Sequence, residues 1–190
     1  MKYIVVLALL VVVLATASLA ADLRMYYSNG NYNASTSFGG TYHPGTIFKP
    51  TSGQYPVFLE RAYYGFGSAG VQVQAKVWNA TGSTPGSVLA SFLVNTLAWP
   101  TWTEVDLTGS NLIINADYFF LSTNNPGGGA LGVSYRGSMP SNYSGYHFWS
   151  SNDSSWASWT TTDWAIECLV DTGYSSVQPA SLGRVKALYR

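Results

Sequence analysis

The stretch VQVQAKVW, Val71 to Trp78, alternates without a break. Val71, Val73, Ala75 and Val77 fall on one side, and Gln72, Gln74, Lys76 and Trp78 on the other. Successive side chains of an extended backbone point to opposite faces, so a period of two marks a strand with one face on a core. TEVDLT, residues 103–108, repeats the pattern, with Val105 and Leu107 predicted inward and Glu104 and Asp106 outward.

Outward from these two segments, the same reading predicts strands at 46–49, 57–66, 87–94, 117–123, 130–136, 146–150 and 163–170. Clusters of Gly, Pro, Asn and Ser separate them, as in GFGSAG, NATGSTPGS, NNPGGG, GSMPSN and SSNDSS. Several short strands at this spacing imply a sandwich or barrel. No segment before Asp171 reads as a long helix, and no fixed-period repeat is visible. The fold class is therefore all-β.

The two ends read differently. Lys2, the apolar run from Ile4 to Ala17 and the small residues of Ser18-Leu19-Ala20 form the pattern of a secretory signal peptide cleaved after Ala20. The run is shorter than the ~20 residues of a membrane span, although an uncleaved anchor is the alternative. At the other end, DTGYSSVQPA has linker composition. SLGRVKALYR then sets Leu182, Val185 and Leu188 at helical spacing: a short amphipathic helix, a docking tail or a frayed end. The expected organisation is a signal peptide at 1–20, an N-terminal lead-in at 21–45, a β-sandwich at 46–171, and a linker and tail at 172–190.

Loss of Lys2 with the leader leaves eight basic against nine acidic residues. With no basic patch, nucleic acid and anionic membrane surfaces are poor partners. Charged residues make up 9% of the chain, against ~25% in ordinary soluble domains. The surface must then be built from Ser, Thr, Asn, Gly and Tyr, which suits extracellular binding or assembly. The single cysteine, Cys168, sits in WAIECLVD, where Trp164, Ile166, Cys168 and Val170 share a face. It reads as a small core residue, with an intermolecular disulfide as the sharper alternative.

From Lys49 to Asp171 the chain resembles a jelly-roll accessory domain of secreted bacterial proteins, similar to carbohydrate-binding modules. The resemblance rests on YPVFLERAYYGFG, VQVQAKVWNATGSTPGSVLAS, WTEVDLTGSNLIINADYFFLST and DSSWASWTTTDWAIECLV, in that order. It implies an antiparallel β-sandwich of jelly-roll type and an extracellular setting. The lead-in MYYSNGNYNAS differs from the acidic YDDG start of that group, so no cation site is carried over to residues 26–30.

Catalytic motifs are missing: there is no nucleophile elbow, zinc helix or phosphate-binding glycine loop. His43 and His147 lie in TYHPG and GYHFW, outside any such motif. Glu104 and Asp106, two residues apart on one strand face, have Cα atoms ~6.6 Å apart. They read as a solvated face, with a Ca²⁺ edge as the weaker candidate; a glycosidase would need the pair to flank a cleft.

Residues 137–164 combine Trp and Tyr with Ser and Asn. A flat aromatic ring suits the C–H face of a sugar, and amides and hydroxyls suit its hydroxyl groups. Aromatics also dominate sandwich cores and cross-strand pairs. Trp156 and Trp164 are assigned to packing. Trp149, Trp159, Tyr143, Tyr146, Asn142 and Trp99 are the candidate ligand-binding residues, while Trp102 shares parity with Glu104 and stays ambiguous. Four Asn-x-Ser/Thr sequons, at Asn33, Asn79, Asn142 and Asn152, are of a kind that composition alone produces.

The chain is thus expected to be a secreted or cell-surface, non-catalytic binding module for an extracellular glycan, with no cofactor and no membrane span after cleavage. The alternative is a structural subunit of a filament, surface layer or matrix that self-associates through its ends.

Overall fold

The alternating stretch becomes one arm of a long antiparallel hairpin. The structure is a computed structural model that describes residues 22–27, 34–37, 42–82, 84–115, 118–124, 132–135, 146–160 and 163–173. Its strands in chain order are β1 (Asp22–Tyr26), β2 (Ala34–Ser37), β3 (His43–Phe48), β4 (Val57–Tyr64), β5 (Gln72–Thr81), β6 (Thr84–Asn95), β7 (Thr103–Asp106), β8 (Ile113–Ile114), β9 (Tyr118–Asn124), β10 (Gly132–Tyr135), β11 (His147–Ser150), β12 (Trp156–Ser158) and β13 (Ile166–Asp171). Asn142, Tyr143, residues 1–21 and residues 174–190 lie outside the described residues.

Two sheets carry the fold. One runs β1-β13-β4-β7, with β8 beside β4; the other runs β12-β11-β3-β9-β5-β6; β10 and β2 form a separate pair. The strand pairings are antiparallel throughout. The chain crosses from one sheet to the other between β3 and β4, between β4 and β5, around β7, and again before β13. This is an antiparallel β-sandwich of jelly-roll type. β1 lies within the stretch read as a lead-in, yet it pairs with β13 from Asp22↔Asp171 to Tyr26↔Glu167.

The core between the sheets draws Phe48, Val73, Val77, Phe119 and Leu121 from one layer and Leu59, Val105, Ile166, Cys168 and Val170 from the other. Val105 and Leu107 are buried, and Glu104 and Asp106 are exposed, as the alternation of TEVDLT requires. β4 departs from strict alternation. Val57 and Leu59 point inward, then Ala62 and Tyr64 do. The pairing of β4 with β13 shifts register across Leu169 and Val170, opposite Glu60. An inserted residue of this kind reverses facing parity for the rest of a strand. Burial, reinforced by Asp22 and Asp171, pushes the Glu60 carboxyl above its ordinary value.

The outer face of the six-stranded sheet differs from the polar face that residues 71–78 suggest. Trp78 is only 4% exposed and joins Ile47, Ala80, Phe120 and Phe148 in a second apolar cluster. Parity explains the separation. Ile47 and Phe120 neighbour Phe48, Phe119 and Leu121, so they must face the opposite way. Trp156 closes this cluster, edge-on to Phe120 at 4.6 Å and to Trp78 at 5.6 Å between centroids. Gly45 sits beneath it, because a Cβ there would overlap the ring of Phe120. Trp78 Nε1 donates to Ser122 Oγ at 2.8 Å, which satisfies the indole on an otherwise apolar face.

Candidate ligand-binding cleft

β1 hydrogen-bonds to β13, and its end is thereby set beside the connection from β3 to β4. Tyr27 ties the two together. Its hydroxyl accepts from the Lys49 backbone N–H at 2.9 Å, and its carbonyl accepts from His147 Nε2 at 2.9 Å. Its ring packs on Tyr146 at 4.1 Å and on Phe48 at 5.5 Å between centroids. Tyr146 is held in turn by its carbonyl, which accepts from the Ile47 N–H at 2.8 Å. The 3₁₀ turn Ser52–Gln54 follows; the Gln54 side-chain oxygen accepts from the Thr51 N–H at 2.7 Å and fixes the turn's shape.

Between these parts lies an open cleft of about 370 Å³, within the size range of small-molecule sites. Arg24, Tyr26 and Tyr27 from the end of β1 line it, together with Lys49, Thr51 and Gln54 from the connection after β3 and with Tyr146. Tyr26 is 50% exposed, so its ring is presented to solvent.

Two cations border the cleft, and each is held by ring faces. Arg24 Nε pairs with Glu167 at 2.6 Å, and its guanidinium lies 4.2 Å from the Tyr63 centroid and 5.6 Å from that of Trp102. The Lys49 ammonium lies 4.5 Å from the Tyr146 centroid and 5.3 Å from that of Tyr118. Behind the cleft, burial pushes the Tyr27 hydroxyl well above its ordinary value. Burial lowers the His147 imidazole to about 4 despite its bond to the Tyr27 carbonyl.

The described residues among those singled out from sequence have separate neighbours. Tyr146 lies in the cleft. Trp149 packs with Tyr42 at 5.1 Å. Trp159 stacks on Trp164 at 5.2 Å and packs against the core. Trp99 meets Trp102 edge-on at 5.3 Å, also against the core. All four aromatics singled out here, Tyr146 included, are half-buried. Glu104 is engaged by Arg61, and Asp106 accepts from the Thr108 N–H and hydroxyl at 2.9 and 2.7 Å, which hold its carboxyl below the usual range. Among the described residues, no group of three or more His, Cys, Asp or Glu side chains could hold a metal ion.

Sequence reasoning missed Arg24, Tyr26, Lys49, Thr51 and Gln54. It also missed a charged cluster on the outer face of the six-stranded sheet, where Asp153 bonds His43 and Lys76. Burial alone would raise the Asp153 carboxyl; its hydrogen bonds with His43 and Lys76 outweigh that and hold it low. The one available signal for the cleft was the Tyr and Asn content of MYYSNGNYNAS, which matches the composition around Tyr146.

No family model matches the sequence, and no curated protein does. Solved structures do. The chain is similar to the crystal structure of the cysteine protease and lectin-like domains of Cwp84, a surface layer associated protein of Clostridium difficile, with a TM-score of 0.56 and 11% identity over 79% of this chain and 36% of that one. A structure of the Clostridial cysteine protease Cwp84 after propeptide cleavage matches with a TM-score of 0.59 and 11% identity, over 79% of this chain and 40% of that one. The shared feature is the fold. The chain spans well under half the length of either protein. No helix among the described residues is long and apolar enough to cross a membrane.

Proposed function

We propose that the chain is a secreted, non-catalytic module that binds carbohydrate in the cleft at Tyr146. The observation that carries this reading is the mixture of groups in one cleft of about 370 Å³. Tyr26 and Tyr146 supply rings for a sugar's C–H face, and Thr51, Gln54 and the two cations supply partners for its oxygens. The lectin-like domain of the similar Cwp84 structure supports the same class of function. The reading requires no cofactor.

Tyr26→Ala and Tyr146→Ala should each weaken glycan binding about tenfold or more, comparable to losing one well-placed aromatic contact. Tyr26 is the cleaner test because its ring is half exposed and its removal leaves the core intact. Trp149→Ala should bind as the parent does. Binding unchanged in both tyrosine variants, measured by titration calorimetry, would place the ligand elsewhere.

One observation favours self-association as a second reading. β6 runs twelve residues without a charged side chain and pairs only with β5 among the described residues. Val88, Leu89 and Leu93 are exposed on it, Leu93 at 63%. Edge strands of this kind usually carry a Lys or another device against pairing with a neighbour. Light scattering across a concentration series should show the parent growing in mass and Leu93→Lys staying monomeric. A parent that is monomeric throughout removes this reading.

A further inference from the structure

The charge of the cleft is one-sided. The described residues that line it include Arg24 and Lys49 but no Asp or Glu. The whole chain is balanced, with nine basic and nine acidic residues, so the imbalance is local. The two cations are also in different situations. Arg24 is matched by Glu167. The Lys49 ammonium has ring faces of Tyr146 and Tyr118 around it, and among the described residues it meets no carboxylate and no oxygen acceptor. An ammonium carries three N–H donors, and a ring face is a weaker partner for them than a charged oxygen. The rings hold the ammonium at the cleft, and among the described residues no oxygen takes up its donors.

We propose that the cleft selects an acidic saccharide, with a carboxylate or sulfate group of the sugar held at Lys49. This rests on the cleft being the saccharide site. The neutral part of the sugar lies against Tyr26 and Tyr146, and the anion accepts from the Lys49 ammonium. Arg24 adds a second positive charge whose Nε is already committed to Glu167.

The test compares purified protein on an array of uronate-, sialate- and sulfate-bearing oligosaccharides. Each is placed beside its neutral counterpart, the methyl ester or the desulfated form. An acidic form should bind about tenfold tighter than its neutral partner, and raising the salt should reduce the difference. Lys49→Met keeps the packing stem and the backbone N–H that Tyr27 accepts from. It should abolish the preference, lowering the affinity for the acidic form by more than that for its neutral partner, and Lys49→Arg should restore part of it. Equal binding of acidic and neutral forms would overturn this inference and leave the cleft reading standing. Binding of neither form, or binding untouched by Tyr26→Ala, would overturn both. The array's separate arms tell carboxylate from sulfate.

Discussion

Trp164→Ala should lower the stability of the domain by about 3–5 kcal/mol, the range for removing a fully buried large aromatic. Trp164 has no exposure and belongs to the core between the sheets. Its ring stacks on Trp159 at 5.2 Å, and its Nε1 donates to the Phe148 carbonyl at 2.9 Å. Truncation therefore opens a cavity, strips Trp159 of its support and leaves a buried carbonyl without its donor. Urea denaturation followed by circular dichroism would show the midpoint falling by about 2 M for a domain of this size. Trp164→Phe separates the parts: it keeps most of the packing and should lose about 1–2 kcal/mol for the hydrogen bond. A midpoint unchanged in the Ala variant would mean that the segment before β13 does not close the sandwich.

The second large effect is on pH dependence. His147 is buried, with Nε2 donating to the Tyr27 carbonyl and Nδ1 accepting from Thr46 Oγ1 at 3.1 Å. A carbonyl only accepts, so a proton sits on Nε2; the Trp164 N–H points at Nδ1 at 3.5 Å, which makes that nitrogen the acceptor and the native ring neutral. Its native pKa is lowered from 6.5 to about 4. The unfolded chain takes up this proton below pH 6.5 and the native chain does not until about pH 4. The contribution is therefore fully present above pH 6.5 and is lost as pH falls toward 4, by about 3 kcal/mol at 1.36 kcal/mol per unit. Carboxylates titrate in the same window, so the informative quantity is the difference from His147→Gln. That variant should be less stable at pH 7, and the gap should close on acidification to about pH 4.5. A gap independent of pH would show that folding leaves the His147 pKa where it stands in the unfolded chain.

Much of the fold was legible because its signal is local. Residues 71–78 and 103–108 alternate cleanly and become β5 and β7. Trp164, Ile166, Cys168 and Val170 share the buried side as their spacing implies. What was hidden depends on partners far along the chain. The parity reversal at Glu60 exists only because β13 shifts register opposite it. β1 alternates over only five residues, Asp22 to Tyr26, too few to mark a strand until β13 pairs with it. The cleft was hidden for the same reason: Arg24, Lys49 and Tyr146 meet through sheet topology rather than spacing. Tyr146 was legible as an aromatic in a polar stretch. Trp159 and Trp99 carried the same local signal, and both are half-buried with one side packed against the core.

The only thiol in the chain lies at the centre of β13, with Cys168 wholly buried between Ala62 on β4 and Met25 on β1. Burial also pushes its pKa well above the ordinary value, so the reactive thiolate is withheld along with the atom. A maleimide or disulfide reagent in native buffer can then reach it only when the five-stranded sheet parts. The rate of labelling becomes a clock for that opening, read without denaturant and without adding any probe to the sequence. The same closure keeps two folded copies from being joined through sulfur, so any assembly of this protein must be held by contacts that can come apart.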